Sequence, residues 1–118
     1  LGLYITLANQ KLRVCLGAWF TDVIGDYATA EDVSTNIWYY FSLVRSAGIV
    51  YAFLNAIPYG TSVANTYNLT NNPIILGLGP AGTDNTDAYI DMVKIYNQAL
   101  TSKEILDNYN AIKSRFGH

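Results

Sequence analysis

The sequence feature that most constrains the fold of this chain is the alternation of apolar and other residues within short runs. Every second residue of the run 3–7 is leucine or isoleucine, and the run 12–16 repeats the pattern with leucine and valine. A repeat of two is the periodicity of a β-strand that buries one of its faces. Because the polar residues Asn9 and Gln10 lie between the two runs, the pattern predicts a β-hairpin with its turn at these residues.

Similar runs continue along the chain and are separated by residues that favour turns. The run 37–45 is rich in aromatic residues and lacks Gly and Pro, which predicts a strong strand. A turn over 46–48 separates it from the next strand, which we expect to occupy 49–60. Several short strands predict an antiparallel sandwich or barrel, here as a single domain over 1–118. Further short strands are predicted within 18–36, over 74–79 and over 88–97.

The end of the chain has a different periodicity, which predicts a short helix over about 102–115. Thr101 is a good N-cap, and Glu104 stands three residues later, as a capping box requires. Gly117 is placed to end the helix. We expect the apolar stripe of this helix to pack over the sandwich near its edge; the stripe consists of Ile105, Leu106, Tyr109 and Ile112.

The composition excludes several classes of partner. Charged residues make up 14% of the chain, against about 25% in an ordinary globular domain, so uncharged polar side chains must cover much of the surface. The net charge is −2 and the seven basic residues are scattered, which argues against nucleic-acid binding. No apolar run is long enough to predict a membrane span. Cys15 is the only cysteine, so no internal disulfide is expected, and we interpret it as a small buried side chain.

The segment 90–109 resembles the closing segment of the laminin-G-like jelly roll, in the concanavalin A-like lectin/glucanase superfamily. The resemblance extends over about 36–116, where the strand around Trp38 and the run "NPIILGLG" are similar to strands of the family. It implies an all-β fold, an antiparallel β-sandwich of the concanavalin A-like jelly-roll type with a short C-terminal helix. The positions that carry the closing motif are Ile90, Asp91, Val93, Ile95, Tyr96, Asn97, Leu100, Thr101, Glu104, Ile105 and Tyr109.

The sequence departs from this family in two places. The usual Asn-Gly turn is Asn55-Ala56 here, so the turn is expected to differ. The opening strands of the family are not recognisable. Because a sandwich without them would leave strand edges unpaired, we expect a further N-terminal region or a neighbouring subunit to cover these edges. The opposing expectation is a complete small sandwich built from these 118 residues.

The acidic residues and the single histidine do not predict catalysis. Glycoside hydrolases of the superfamily need paired carboxylates on one strand face. The chain has two glutamates, of which Glu104 belongs to the capping box and Glu31 to a loop. His118 is the only histidine and the last residue, so no catalytic triad or histidine-based metal site is expected. We therefore predict no catalytic residue, no cofactor and no enzymatic activity.

One loop is rich in the oxygen ligands that calcium prefers. Asp84, Asn85 and Asp87 lie close to Asp91 at a junction between a loop and a strand. Such residues more often stabilise their own turns, and this interpretation is favoured over a Ca²⁺ site. We expect the carboxylate of Asp91 to bind loop backbone, a structural role.

Aromatic side chains are candidates for stacking on sugar rings because their faces are apolar and their edges polar. The candidates are the tyrosines expected in exposed loops, Tyr27, Tyr59 and Tyr67. Trp38 and Tyr96 occupy motif positions of the family and are expected in the core of the sandwich.

The segment 108–117 further resembles the closing segments of bacteriophage structural proteins. This resemblance implies a non-enzymatic structural or binding module of a virion, as a capsid decoration or tail-fibre protein at the virion surface. The implied partners are other virion subunits, additional copies of the chain, or host-surface glycans, with no nucleic acid and no membrane. The alternative is a carbohydrate-binding domain of a secreted bacterial protein, at an extracellular location.

Overall fold

Two three-stranded antiparallel sheets and a C-terminal helix make up the described part of the protein. The computed structural model describes residues 2–8, 11–17, 22–24, 33–65 and 88–117; in the first three ranges, the described side chains are those of Val14 and Ile24. The first sheet has the order β1 (Gly2–Ala8), β2 (Lys11–Gly17) and β3 (Asp22–Ile24). The second has the order β4 (Phe41–Ser46), β5 (Ile49–Leu54) and β6 (Ile57–Ala64). Helix α1 (Ser102–Ile112) is followed by a 3-10 segment (Lys113–Phe116).

The hairpin predicted at the start of the chain is confirmed by the pairing of β1 and β2. The two strands pair along their whole length, from Gly2 opposite Gly17 to Ala8 opposite Lys11. The turn residues themselves lie outside the described residues. The short strand predicted within 18–36 is β3, which pairs with β2 and sets Ile24 opposite Val14.

Two tight turns shape the second sheet. Ser46 pairs with Ile49, so β4 and β5 are joined by Ala47 and Gly48 alone, and the predicted turn is confirmed. Both residues have positive φ, 49° and 76°, as in the hairpin turns that match the right-handed twist of strands. The single strand predicted over 49–60 is wrong, because a second two-residue turn divides it into β5 and β6.

This second turn is formed by Asn55 and Ala56, with φ values of 51° and 65°. The replacement of the usual glycine by Ala56 therefore leaves the left-handed turn in place. Asn55 fastens the turn to the segment before β4: its Oδ1 accepts the Tyr40 N–H at 2.9 Å, and its N–H donates to the Tyr40 carbonyl at 2.7 Å. These bonds offset part of the cost that a non-glycine residue incurs in the left-handed region.

Strand β6 contains a bulge opposite Tyr51. Val50 pairs with Val63 and Ala52 pairs with Tyr59, so one residue of β5 faces the three residues 60–62 of β6. Gly60 lies in this bulge with φ of 63°, which a glycine adopts without steric strain. At this point β6 has two residues more than β5. Because the difference is an even number, side chains of β6 still alternate between the two faces in the same order, and Tyr59 and Val63 point to the same side of the sheet.

The main core lies between the two sheets. Val14 and Ile24 of the first sheet are fully buried against Val50, Ala52 and Tyr59 of the second. Partly buried apolar residues surround this cluster: Val33, Phe41, Leu43, Leu54 and Val63. Two antiparallel sheets packed over one core form a β-sandwich, and with the one short helix of the described residues, at the C-terminal end, this confirms the predicted fold class.

The opposite face of the second sheet carries a smaller core beneath α1. Ile105 is 1% exposed and packs with Val44 and Phe53, so the helix covers the sheet as predicted. The predicted stripe is too wide, however, since Leu106 is 45% exposed. Consecutive helical residues lie about 100° apart, and burial of Ile105 therefore turns Leu106 toward solvent.

The structure contradicts the strand predicted over 88–97. No residue of this segment belongs to a strand ladder among the described residues, and all of its side chains are exposed. Alternation specifies which face of a strand could be buried, but a strand also needs a neighbouring edge for its backbone hydrogen bonds. The strand predicted over 74–79 lies outside the described residues.

Two aromatic residues that were expected in the core lie nearer the surface. Trp38 is 38% exposed and packs on Phe116 of the 3-10 segment, with ring centroids 5.0 Å apart. Tyr96 is also exposed, and its hydroxyl accepts a hydrogen bond from Nδ2 of Asn108 at 3.3 Å. Both side chains contact the C-terminal helical region instead of the main core between the sheets.

We predict that Ala47→Gly stabilises the protein. Glycine relieves the left-handed strain of Ala47 and raises the free energy of unfolding by about 0.5–1 kcal/mol, net of its larger entropy in the unfolded chain. Ala64→Gly is the matched control, since Ala64 is an exposed strand residue, and this change lowers the free energy by about 0.5–1 kcal/mol. Equal effects of the two substitutions in urea unfolding would contradict the strained turn.

We also predict that the side chain of Ile105 contributes most of the packing free energy that holds α1 against the second sheet. Ile105→Ala removes the buried anchor and lowers the free energy of unfolding by about 2–4 kcal/mol. Leu106→Ala, on the exposed neighbour, lowers it by less than about 1 kcal/mol. Chemical denaturation monitored by circular dichroism measures both variants, and similar losses would disprove the assigned helix orientation.

Candidate functional site

A groove lies between the outer face of the second sheet and the start of α1. Its volume is about 300 Å³. One wall comes from β4 and β5 and the other from the residues that lead into the helix. The lining residues are Val44, Ser46, Tyr51, Phe53, Ala99, Leu100, Thr101 and Ser102.

A second hollow of about 170 Å³ continues this groove toward β6. The two hollows share Tyr51, Phe53 and Ser102, so they form one trough across the sheet, which we call the sheet groove. The residues that the second hollow adds are Ala52, Pro58, Tyr59, Gly60 and Ser62.

The alternation along β5 gives the sheet groove its aromatic surface. Val50 and Ala52 face the main core, and Tyr51 and Phe53 therefore face the groove. Phe53 is buried and forms the base, whereas Tyr51 is 38% exposed and offers part of its ring to solvent. The bulge in β6 brings Gly60 and Ser62 to the far end.

The start of α1 is held rigidly by its capping box, as predicted. The Thr101 hydroxyl accepts the Glu104 N–H at 3.2 Å and donates to Oε2 of Glu104 at 2.8 Å. Oε2 also accepts the Thr101 N–H at 2.7 Å, so the two residues bind each other reciprocally. The pKa of Glu104 is lowered below its usual range. The main cause is the hydrogen bond from the backbone N–H of Thr101, and the second is the hydrogen bond from the Thr101 hydroxyl.

No charged residue lines the sheet groove in the described part of the chain. Lys103 points away and bonds Asp107 at 2.6 Å, and this hydrogen bond raises the pKa of Lys103. The groove thus combines a half-exposed aromatic ring, an apolar base and a rim of serine and threonine hydroxyls. Such a surface can bind an uncharged ligand that has one apolar face and several hydroxyl groups.

Of the tyrosines proposed to stack on sugars, Tyr59 is placed where it cannot do so. The expectation that it lies in an exposed loop is wrong: it belongs to β6 and is 4% exposed in the main core. The turn at Asn55 and Ala56 is followed by β6, a strand that was not predicted separately, and β6 places Tyr59 in the main core. Tyr27 and Tyr67 lie outside the described residues and stay predictions.

Sequence reasoning missed Tyr51, although a simple pattern could have found it. Tyr51 stands between Val50 and Ala52 in a strand, so if those two face the core, Tyr51 must face outward. The missing information was which face of β5 the first sheet covers, and this depends on contacts between distant parts of the chain.

The closing-motif residues connect the segment 88–100 to the C-terminal helical region. Oδ2 of Asp91 lies 3.6 Å from the guanidinium of Arg115, and both side chains are partly exposed. The loop expected to bind Asp91 and the proposed calcium ligands Asp84, Asn85 and Asp87 lie outside the described residues. Within the described residues no three histidine, cysteine or acidic side chains are grouped as metal ligands would be.

We predict that acid weakens the start of α1 through Glu104. Its pKa is lowered in the folded state, so its stabilising effect is present above the ordinary value of 4.5 and is lost as the pH falls through the lowered pKa. Glu104→Gln keeps an acceptor without an ionisable group. Its melting temperature therefore falls less than that of the wild type on acidification from neutral pH. Parallel melting curves for the two proteins would contradict this role.

Comparisons with known proteins agree with this architecture. The family model Laminin_G_3, described as Concanavalin A-like lectin/glucanases superfamily, matches residues 2–106. A crystal structure of an S-layer domain-containing protein from Clostridium thermocellum is similar with a TM-score of 0.57 and 14% identity, a likeness that shows the fold alone. The match covers 86% of this chain and 58% of that one, so this chain spans less than two thirds of its neighbour's length. No curated protein matches the chain.

Within the described residues, no helix has the length and apolar character needed to cross a membrane. The family match includes both sheets and the first residues of α1, and these are the elements that enclose the core and the sheet groove. The chain therefore belongs to the concanavalin A-like lectin/glucanases superfamily, as a laminin-G-like β-sandwich.

Proposed function

We propose that this protein is a non-enzymatic contact module of a bacteriophage virion, where it decorates the capsid or forms part of a tail fibre. The observation that carries the proposal is the exposed apolar run 89–96. Within it Tyr89 is 91% and Ile95 70% exposed, and Ile90, Met92, Val93 and Tyr96 are exposed as well. Contiguous exposed apolar side chains are typical of a surface that contacts another protein.

The partners of this run are other virion subunits or additional copies of the chain. Asp91 and Lys94 are the two charged residues among these apolar neighbours, and the whole chain is only 14% charged. Protein interfaces are depleted of charged residues at their centres and enriched in tyrosine and methionine, and this run has that character. The ion pair of Asp91 with Arg115 and the bond of Asn108 to Tyr96 attach the run to the helical region.

The environment of the acidic residues supports a non-enzymatic role. Glu104 is bound by Thr101, Asp107 pairs with Lys103, and Asp91 pairs with Arg115. Acid–base hydrolysis of a glycoside needs two carboxyl groups that converge on one bond, at about 5–10 Å from each other. The three carboxylates described here instead serve the helix and its contacts. Release of reducing sugar from a β-glucan by the purified protein would overturn this part of the proposal.

We propose that the protein is located at a surface, and the first candidate is the surface of a virion. The structural neighbour is an S-layer domain-containing protein, and laminin-G-like domains fit an extracellular or surface setting. The low charge of the chain fits packing against neighbours in an ordered assembly.

The second candidate is a carbohydrate-binding domain of a secreted bacterial protein. The observation that favours it is the sheet groove, with its half-exposed Tyr51 and its uncharged rim. Both candidates share the feature that the protein binds and does not convert its partner.

We predict that Ile95→Asp lowers incorporation of the chain into particles by roughly tenfold or more, since it places a charge in the apolar contact. Asn97→Asp adds the same charge at an exposed polar position of the same segment and is incorporated normally. Mass spectrometry of particles purified from the source organism measures the ratio of this chain to the major structural protein. Wild-type incorporation of the Ile95 variant would contradict the contact surface, and absence of the wild-type chain from particles would favour the secreted alternative.

A further inference from the structure

We infer that the segment 90–95 adds as an antiparallel strand to the outer edge of β4 in a second copy of this chain. The inference rests on the proposed function as a contact module, and it names the partner of the exposed run and the mode of contact. Two complementary parts of the chain carry it. One is a strand edge that has no neighbour among the described residues, and the other is a segment that has no edge to pair with.

The outer edge of β4 presents a regular row of backbone groups. The Tyr40 carbonyl accepts the Asn55 N–H, and the backbone groups of every second residue after Tyr40 turn the same way, toward β5. Phe41, Leu43 and Arg45 therefore direct their N–H and C=O groups away from β5. In the described part of the second sheet no strand pairs with these groups, and such a row is a template for an added strand.

The other strand edges are less suited to this pairing. In β6, Pro58 has no backbone N–H and the bulge at Gly60 interrupts the ladder, and both features hinder pairing with a further strand. In the first sheet, β3 has three residues, and β1 has no charged side chain that could face Asp91 or Lys94. By contrast, β4 pairs with β5 without interruption and contains neither glycine nor proline.

The donor segment runs straight but belongs to no sheet in the described structure. From Tyr89 to Tyr96 the backbone has no bend or turn, and no backbone hydrogen bond joins it to another described residue. All of its side chains are exposed. Its side chains contact the helical region through Asp91 with Arg115 and Tyr96 with Asn108. Water satisfies an exposed backbone, so exchange of these hydrogen bonds for a ladder is favourable when apolar side chains are buried at the same time.

Charge selects the register of the pairing. Asp91 is the acidic residue of the segment and Arg45 is the charged residue of β4, so we set these two opposite each other. Lys94 then lies opposite Ser42, and no like charges meet. The apolar pairs that this register gives are Leu43 with Val93, Phe41 with Ile95, and Val44 with Met92. The residues of β4 in these pairs border the main core or the smaller core beneath α1, so each face of the added strand continues a core.

Both charged side chains can form the new ion pair at little cost. Arg45 donates from one guanidinium nitrogen to the Asn65 carbonyl at 2.9 Å, and a guanidinium has further N–H donors for a carboxylate. The contact of Asp91 with Arg115 spans 3.6 Å between partly exposed side chains. An exposed ion pair of this length contributes little to stability, so Asp91 can exchange Arg115 for Arg45.

A second copy of the chain is the partner that supplies both halves of this contact. Within one chain the donor segment contacts the helical region and is not paired with β4 in the described structure. Every copy has the same edge and the same segment, so each copy can receive a strand and give one. Reciprocal exchange of an identical element is a common basis of symmetric homodimers.

The test is sedimentation velocity of the purified whole chain over a range of concentrations up to about 500 μM, because pairing through one short strand is expected to give a dissociation constant on the order of 10–100 μM. Val93→Pro removes an N–H that points toward β4 and weakens association by more than about tenfold. Met92→Pro is the matched control. Its N–H points away from β4, so this variant changes association by less than about threefold.

A charge exchange tests whether the pairing is between copies. Arg45→Glu and Asp91→Arg each place like charges opposite each other, and each variant alone associates about tenfold more weakly than the wild type. An equimolar mixture of the two variants restores association, because every strand pair between unlike copies then joins opposite charges. Pairing of the segment with β4 of its own chain would produce no mixed species.

Three results would overturn the inference. They are a chain that stays monomeric at the highest concentration, association that Val93→Pro leaves unchanged, and a mixture that associates no better than its components. The particle measurement on Ile95→Asp is independent of these results. Particles that contain a chain which does not self-associate would leave the proposed function in place with another subunit as partner. A restored mixture would support the strand pairing even if particles lacked the chain.

Discussion

The structure depends on the burial of β5 on both of its faces. Val50 and Ala52 meet the first sheet, while Phe53 lies beneath Ile105 of the helix. A slip of one residue in the pairing of β5 would exchange these two sets and leave both cores unfilled. The tight turns on either side of β5 fix its register, because a connection of two residues allows no slack. Both layers of the sandwich and the sheet groove follow from this one strand.

Features of the fold that depend on near neighbours in the chain could be predicted, and features that depend on distant ones could not. The first hairpin and the capping box each depend on a few residues that are close in the sequence, and both are present in the structure. The turn at Asn55 and Ala56 was expected to differ from the family's Asn-Gly turn because alanine is rare at positive φ, yet both residues adopt positive φ. Tyr59 was misplaced because its inward direction depends on β6, which was not predicted as a separate strand. The segment 88–97 alternates like a strand, but alternation does not reveal whether a neighbouring edge exists.

The residues that reveal the family and the residues that could bind a ligand are largely different. Asp91 and Tyr96 of the closing motif contact the helical region, and Glu104 caps the helix. Tyr51 and the serines around it belong to no motif that the sequence displayed. Membership of a family therefore explains how the scaffold is built, whereas binding must be argued from the surface of this particular chain. Thr101 joins the two sets, since it caps α1 and also lines the groove.

The bulge in β6 has a consequence for how such a domain can change over generations. Its surplus of two residues leaves the inward and outward order of the strand intact on both sides. A β-bulge takes up surplus residues while the pairing on either side of it continues, so small insertions or deletions at 60–62 would leave the pairings of Tyr59 and Val63 in place. Length variation is thus open to natural selection at the rim of the groove. The selectivity of this surface can diverge among descendants while the interior stays constant.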